Sequence, residues 1–227
     1  MSQKPIVSID YFSDLLCVWA YVAQARVDEL HQRFGSEIRI VHRYCPVFAD
    51  TAHKIGAGWA DRGGYQGFGK HVREVAARFG HVEVHPGLWD SVRPASSTGA
   101  QLYLKAVELL EGPTGLPAGL ARRLSWQLRL GFFRDGLDIG SLAVLRELAA
   151  GLGVPADVVQ AEIDSGRAYA ALAADERDKD HYRIEGSPSF VLNEGRQKLY
   201  GNVGYRVLDA NIRELLREPQ AGEASWC

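Results

Sequence analysis

The chain has 227 residues, 46% of them hydrophobic and 24% charged, with a formal net charge of −2. That is the make-up of a globular protein with a substantial core, arranged as one large domain or one domain inserted into another. There is no long basic block to bind nucleic acid, and no run near the roughly 18 apolar residues of a membrane span. The start, Met1-Ser2-Gln3-Lys4-Pro5, has no apolar stretch behind a basic beginning, so no signal peptide is expected and the expected location is cytoplasmic.

In chain order, Pro5 to Phe12 carries Ile6, Val7, Ile9, Tyr11 and Phe12 and reads as a buried strand. After a short polar joint, Ser13-Asp14, residues 18–34 take a helical period, with Ala23, Val27, Leu30 and Phe34 on one stripe and Gly35 as the C-cap. Glu37 to Tyr44 reads as a second strand, which completes a βαβ unit and implies a parallel pair.

The chain then changes character. Residues 46–95 are rich in glycine, histidine and aromatics, and the glycines of 56–69 predict a mobile loop that would serve as a lid. Helical patterns follow: Ala100, Tyr103, Val107 and Leu110; Leu120, Leu124 and Leu128; Leu142, Leu145, Leu148 and Leu152. One further helix is expected over roughly 155–180, with a weak point at Gly166. No strand signal occurs from about 48 to 186. Strands return at Ser189–Asn193 and Gln197–Tyr200 as a hairpin, and an amphipathic helix with Leu208, Ile212, Leu215 and Leu216 closes the chain. The expected class is α/β, a thioredoxin-like core (βαβ then ββα) formed by residues 1–48 and 182–227, carrying an all-helical insertion over 49–181.

Three cysteines, Cys17, Cys45 and Cys227, lie far apart, which is not the framework of a disulfide-rich secreted protein. Cys17 stands at a strand-to-helix joint. There the free N–H groups and the dipole of a helix start favour a thiolate, so a lowered pKa and a nucleophilic role are expected. Histidine spacing offers no zinc site: His81 and His85 are four apart, but Pro86 follows at once. No phosphate loop, dinucleotide fingerprint or serine elbow occurs.

Three stretches carry a family resemblance. Asp14-Leu15-Leu16-Cys17-Val18-Trp19-Ala20-Tyr21 resembles the active-site joint Asp-x-x-Cys-Pro-Trp-Cys-Tyr of the DsbA-like branch of the thioredoxin superfamily. Gly186-Ser187-Pro188-Ser189-Phe190-Val191 resembles its cis-proline segment, and Phe132-Phe133-Arg134-Asp135-Gly136-Leu137-Asp138-Ile139 its helical-domain signature. The texture is similar to the cytoplasmic members, which include hydroxychromene-carboxylate isomerases and kappa-class glutathione transferases. The resemblance implies a disulfide oxidoreductase with Cys17 as nucleophile. It places Trp19 beside Cys17, shaping a groove or packing on the insertion, and has Ser187 and a cis Pro188 offering backbone groups to a peptide or to glutathione. Asn202 and Arg206 partly match a glutathione carboxylate site at the last helix start.

The departures matter too. Ala20 stands where the second cysteine belongs and Val18 where the family has proline. A mixed disulfide would then be resolved by glutathione as co-substrate, or by Cys45 as a remote thiol. Alternatively Cys17 does no redox chemistry, as in isomerase and transferase relatives where a serine in its place stabilises a glutathione thiolate. Three functions follow. The first is a monothiol disulfide oxidoreductase acting on a disulfide-containing peptide or small thiol. The second is a glutathione-dependent isomerase or transferase for a small aromatic substrate, and the third a non-catalytic peptide-binding thioredoxin fold. No tightly bound cofactor is expected, Cys227 is expected to be mobile, and monomer and dimer stay open.

Overall fold

The computed structural model describes residues 6–217, so Cys227 lies outside the described residues. Strand β1 (Val7–Ser13) leads to α1 (Val18–Phe34), and β2 (Ile38–Tyr44) follows a single 3-10 turn. β1 and β2 pair in parallel, from Val7 opposite Ile38 to Ser13 opposite Tyr44. Late in the chain β3 (Ser189–Leu192) and β4 (Gln197–Tyr200) form the expected hairpin. β3 runs antiparallel to β1, with Phe12 opposite Ser189, so the sheet order is β2-β1-β3-β4.

The sheet's alternation sorts its side chains into two layers. Val7, Ile9 and Tyr11 of β1 and Phe190 and Leu192 of β3 pack with Val27, Leu30 and Phe34 of α1. Leu208, Ile212 and Leu215 of α8 (Tyr205–Arg217) complete that layer. Phe12, Cys45, Ile184 and Val191 form a smaller cluster of their own. The βαβ and ββα reading of the chain ends is what the structure has.

Between β2 and β3 run α2 (Gly64–Ala76), α3 (Thr98–Leu110), α4 (Leu120–Phe133), α5 (Leu142–Ala150), α6 (Ala156–Asp164) and α7 (Arg167–His181). The leucine stripe of α4 is buried as expected, whereas Leu142 of α5 is 43% exposed. Two expectations need correction. Residues 155–180 form two helices, because Gly166 takes a left-handed φ of 81° and resets the axis between α6 and α7. The glycine-rich stretch 56–69 is not a loop: it folds as short helical turns over 52–57 and 60–62 and then α2.

Its glycines permit close backbone approach. A Cβ on Gly67 would sit 1.7 Å from the Arg62 carbonyl oxygen, and one on Gly69 2.5 Å from that of Leu88. Trp89, fully buried, gathers this region by stacking on Phe48 (5.9 Å between centroids) and meeting Phe132 edge-on at 5.2 Å.

An ionic network ties the helices to β2. Asp175 of α7, fully buried, accepts from the Tyr44 N–H at 2.9 Å and pairs with Lys105 of α3 at 2.8 Å and with Arg43 at 3.2 Å. Arg43 also reaches Asp10 at 2.9 Å, and Lys105 reaches Glu108 at 2.9 Å. The Asp175→Ala variant leaves the nearly buried Lys105 short of an anion and the Tyr44 N–H without an acceptor. It is expected to lose about 3 kcal/mol of stability, read as a lower urea midpoint at unchanged m-value.

Candidate functional site

β1 ends in the middle of the sheet and delivers Ser13 and Asp14 to the start of α1. Cys17 is the N-cap residue of α1, with an extended backbone (φ −84°, ψ 116°) and no side-chain cap of its own. Its thiol Sγ–H donates to the Ser187 carbonyl at 3.1 Å. The Ser187–Pro188 peptide is cis, as the motif predicts, and leads straight into β3. β1 pairs with β3, so the two loops at that end of the sheet face each other and Cys17, Ser187 and Pro188 come together.

A second layer of polar contacts fixes this arrangement. The Asp14 N–H donates to Ser187 Oγ at 2.8 Å. The Asp14 carboxylate accepts from the N–H groups of Leu16 (2.8 Å) and Phe48 (3.0 Å) and from the Ser97 hydroxyl (2.8 Å). Arg129 of α4, only 1% exposed, donates from Nη2 to Ser13 Oγ at 3.0 Å and to the Asp14 carbonyl at 3.3 Å. The sequence motif contains Asp14, but its role as the hub of these contacts was not expected. The available signal was a lone carboxylate, beside Ser13, between the apolar stretches Tyr11-Phe12 and Leu15-Leu16-Cys17-Val18. Arg129 had no such signal, since a charged residue on an amphipathic helix reads as a surface group.

The electrostatics overturn the expected low pKa. Cys17 is 6% exposed, and burial pushes its thiol up from the ordinary value. The Ser187 hydroxyl and the Ala20 and Trp19 N–H groups oppose that shift, and the negative charge of Asp14 adds to it. The helix start does favour the thiolate, but loss of hydration outweighs it. Trp19 is half-buried and meets Phe79 edge-on at 6.4 Å, so its ring packs on the segment after α2. Ala20 is fully buried one helical turn on.

Cys45 is a free, buried thiol just beyond β2. It belongs to the cluster of Phe12, Ile184 and Val191, whereas Cys17 packs with the helices, and burial holds its pKa well above the usual range. Asn202 and Arg206 are both exposed. Their loop joins the site through the Gly201 N–H, which donates to the Pro188 carbonyl at 2.8 Å. Among the described residues no group of three or more His, Cys, Asp or Glu side chains is placed to hold a metal.

The model of the DSBA-like thioredoxin domain family matches residues 8–213. The chain belongs to that family. No curated protein matches the sequence. Among solved structures, a Nitrosomonas europaea protein provisionally named a protein disulfide isomerase superposes with a TM-score of 0.73 at 16% identity, over 94% of this chain and 98% of the other. The cytosolic disulfide reductase DsbM from Pseudomonas aeruginosa, in its structure with GSH, gives 0.65 at 20% identity over 91% and 99%. A 2-hydroxychromene-2-carboxylate isomerase gives 0.59 at 18% over 93% and 97%. At such identities these likenesses show the shared fold.

The raised thiol pKa of this family member has a direct chemical consequence. The thiolate is the reactive form, and its fraction rises about tenfold per pH unit below the pKa. Cys17 in the resting protein should therefore alkylate more slowly at neutral pH than a free thiol of pKa about 8.5, with a midpoint displaced to the alkaline side. Rates of iodoacetamide labelling at Cys17 against pH, resolved by peptide mass spectrometry, give that midpoint.

Proposed function

We propose that this DsbA-like chain is a monothiol disulfide oxidoreductase in which Cys17 exchanges with a mixed disulfide and glutathione is the second thiol. The observation that carries this reading is the Cys17 Sγ–H, 3.1 Å from the Ser187 carbonyl at the first turn of α1, with Ala20 where a resolving thiol would stand. An extended substrate laid along Ser187–Pro188 offers its own N–H to the Ser187 carbonyl and so competes for the acceptor that holds the Cys17 proton. The Trp19 and Ala20 N–H groups then receive the developing thiolate.

The exchange balances in two steps. The Cys17 sulfur attacks the glutathione sulfur of a mixed disulfide, R–S–S–G. The S–S bond of R–S–S–G breaks as the Cys17–S–S–G bond forms, and RSH leaves with the proton that Cys17 gave up. A second glutathione attacks the Cys17–S–S–G bond, releases glutathione disulfide and restores the Cys17 thiol. In sum R–S–S–G is reduced to RSH and one glutathione is oxidised. Cys45 takes no part in this scheme, since it packs in a different apolar cluster. Trp19 borders the reacting sulfur, and the exposed Asn202 and Arg206 meet the γ-glutamyl carboxylate at the start of α8. The partners are a disulfide-bearing peptide and a small thiol, and the compartment is the cytoplasm, where glutathione is abundant and reduced. No described helix is long and apolar enough to cross a membrane.

One observation favours a second reading. A protonated thiol at a helix start can donate to a bound glutathione thiolate, without covalent exchange, in a glutathione-dependent isomerase or transferase. The burial of Cys17 suits that role.

A glutathionylated peptide separates the two. Exchange predicts a Cys17–glutathione adduct by mass spectrometry and peptide release that Cys17→Ser abolishes and Cys45→Ser leaves within about twofold. Non-covalent glutathione binding with no adduct overturns the exchange reading. The Ala20→Cys variant restores a neighbouring thiol. It is expected to convert the adduct to an internal disulfide, seen as a loss of the glutathione mass and of two hydrogens.

A further inference from the structure

Asp14 is the buried group that the exchange chemistry does not use. Its carboxylate takes three donors from three different stretches: the Leu16 N–H at the α1 joint, the Phe48 N–H after β2 and the Ser97 hydroxyl at the start of α3. Gln101 donates to Ser97 Oγ at 3.2 Å, which leaves the Ser97 proton for Asp14. Three donors on one carboxylate suit its ionised form. Yet the Arg129 guanidinium reaches the Asp14 backbone oxygen rather than the carboxylate, and no described cation lies within ion-pair distance of it. Burial pushes the Asp14 pKa up, and the ionised form is supported against it by these hydrogen bonds and by the more distant charge of Arg129, without an ion pair, inside the protein and three residues before Cys17.

We infer that Asp14 is a positioning residue for the Cys17 thiol: its carboxylate clamps the Cys17 turn to the segment carrying Phe48 and Ser97, while its backbone N–H holds the Ser187 hydroxyl, and the negative charge of that carboxylate keeps the thiol protonated until the clamp shifts. A nearby like charge disfavours a second anion, and Asp14 acts on Cys17 in that direction. The other titratable groups bearing on the pair are Tyr11 of β1 and Cys45 beyond β2, both held neutral by burial, and Arg129 of α4, whose charge favours the carboxylate. Phe48 and Ser97 belong to the polypeptide between β2 and α3. Any ligand that moves this segment alters the donors on Asp14 and so the proton affinity of Cys17.

This inference rests on Cys17 being the reacting thiol, so its test reads Cys17 directly and not turnover. The Asp14→Asn variant is labelled with iodoacetamide from neutral to alkaline pH, and Cys17 is followed by peptide mass spectrometry. The midpoint is expected to fall, with labelling at neutral pH about five- to tenfold faster, whatever happens to the melting temperature. A lower melting temperature with an unmoved midpoint makes Asp14 merely structural and overturns the inference. Should Asp14→Asn not fold, the Asp14 carboxyl carbon is titrated by NMR in the unaltered protein and in Cys17→Ser. Linkage requires an inflection at the thiol's titration that vanishes with the thiol. Identical curves overturn the inference. Loss of exchange with intact coupling would instead refute the oxidoreductase reading alone.

Discussion

The hydrogen-bond register of β1 governs this molecule. β1 pairs with β2 on one side and with β3 on the other, so it can slide against neither without turning its buried side chains to the wrong face. Its last residues are thereby delivered to one place. Ser13 lies opposite Tyr44, and Phe12 lies opposite Ser189, one residue beyond Pro188. The meeting of the Cys17 turn with the Ser187 loop follows from strand pairing between segments 170 residues apart.

At that meeting point two effects oppose each other. The first turn of α1 presents free N–H groups that favour a sulfur anion, while enclosure by the helices removes the water that would solvate it. Enclosure wins in the resting structure, and the thiol keeps its proton against the Ser187 carbonyl. On the proposed exchange, reactivity depends on what reaches that carbonyl, since a group that replaces the thiol there changes the balance at once. This differs from a permanently ionised cysteine, which reacts with whatever disulfide diffuses to it.

Much of this was legible in the sequence, for identifiable reasons. The strand at the N-terminus, the helix after Cys17 and the hairpin at Ser189–Tyr200 rest on local periodicity, and the structure has all three. Ser187–Pro188 and Cys17 stand out because they punctuate those patterns. What stayed hidden depends on contacts between distant residues. The burial of Cys17 requires knowing what packs over it. Asp175 looks like one more acid on a charged helix until Lys105 and Arg43 converge on it. Gly67 and Gly69 suggest mobility by composition. Only the Arg62 and Leu88 carbonyls show that their missing side chains admit tight packing.

The network around Asp175 also bears on how the protein avoids its own kind. β2 is an outer strand of the sheet, and the Tyr44 N–H and His42 carbonyl are groups that a further strand would use to pair. Asp175 accepts from the first at 2.9 Å, and Lys105 Nζ donates to the second at 3.5 Å. Two side chains from inserted helices thus occupy the ladder positions of an absent fifth strand. The opposite margin, β4, is four residues long and carries Lys198. Short length and lysine are what discourage edge-to-edge pairing. The helices that close over the thiol therefore also protect the sheet from serving as a template for aggregation.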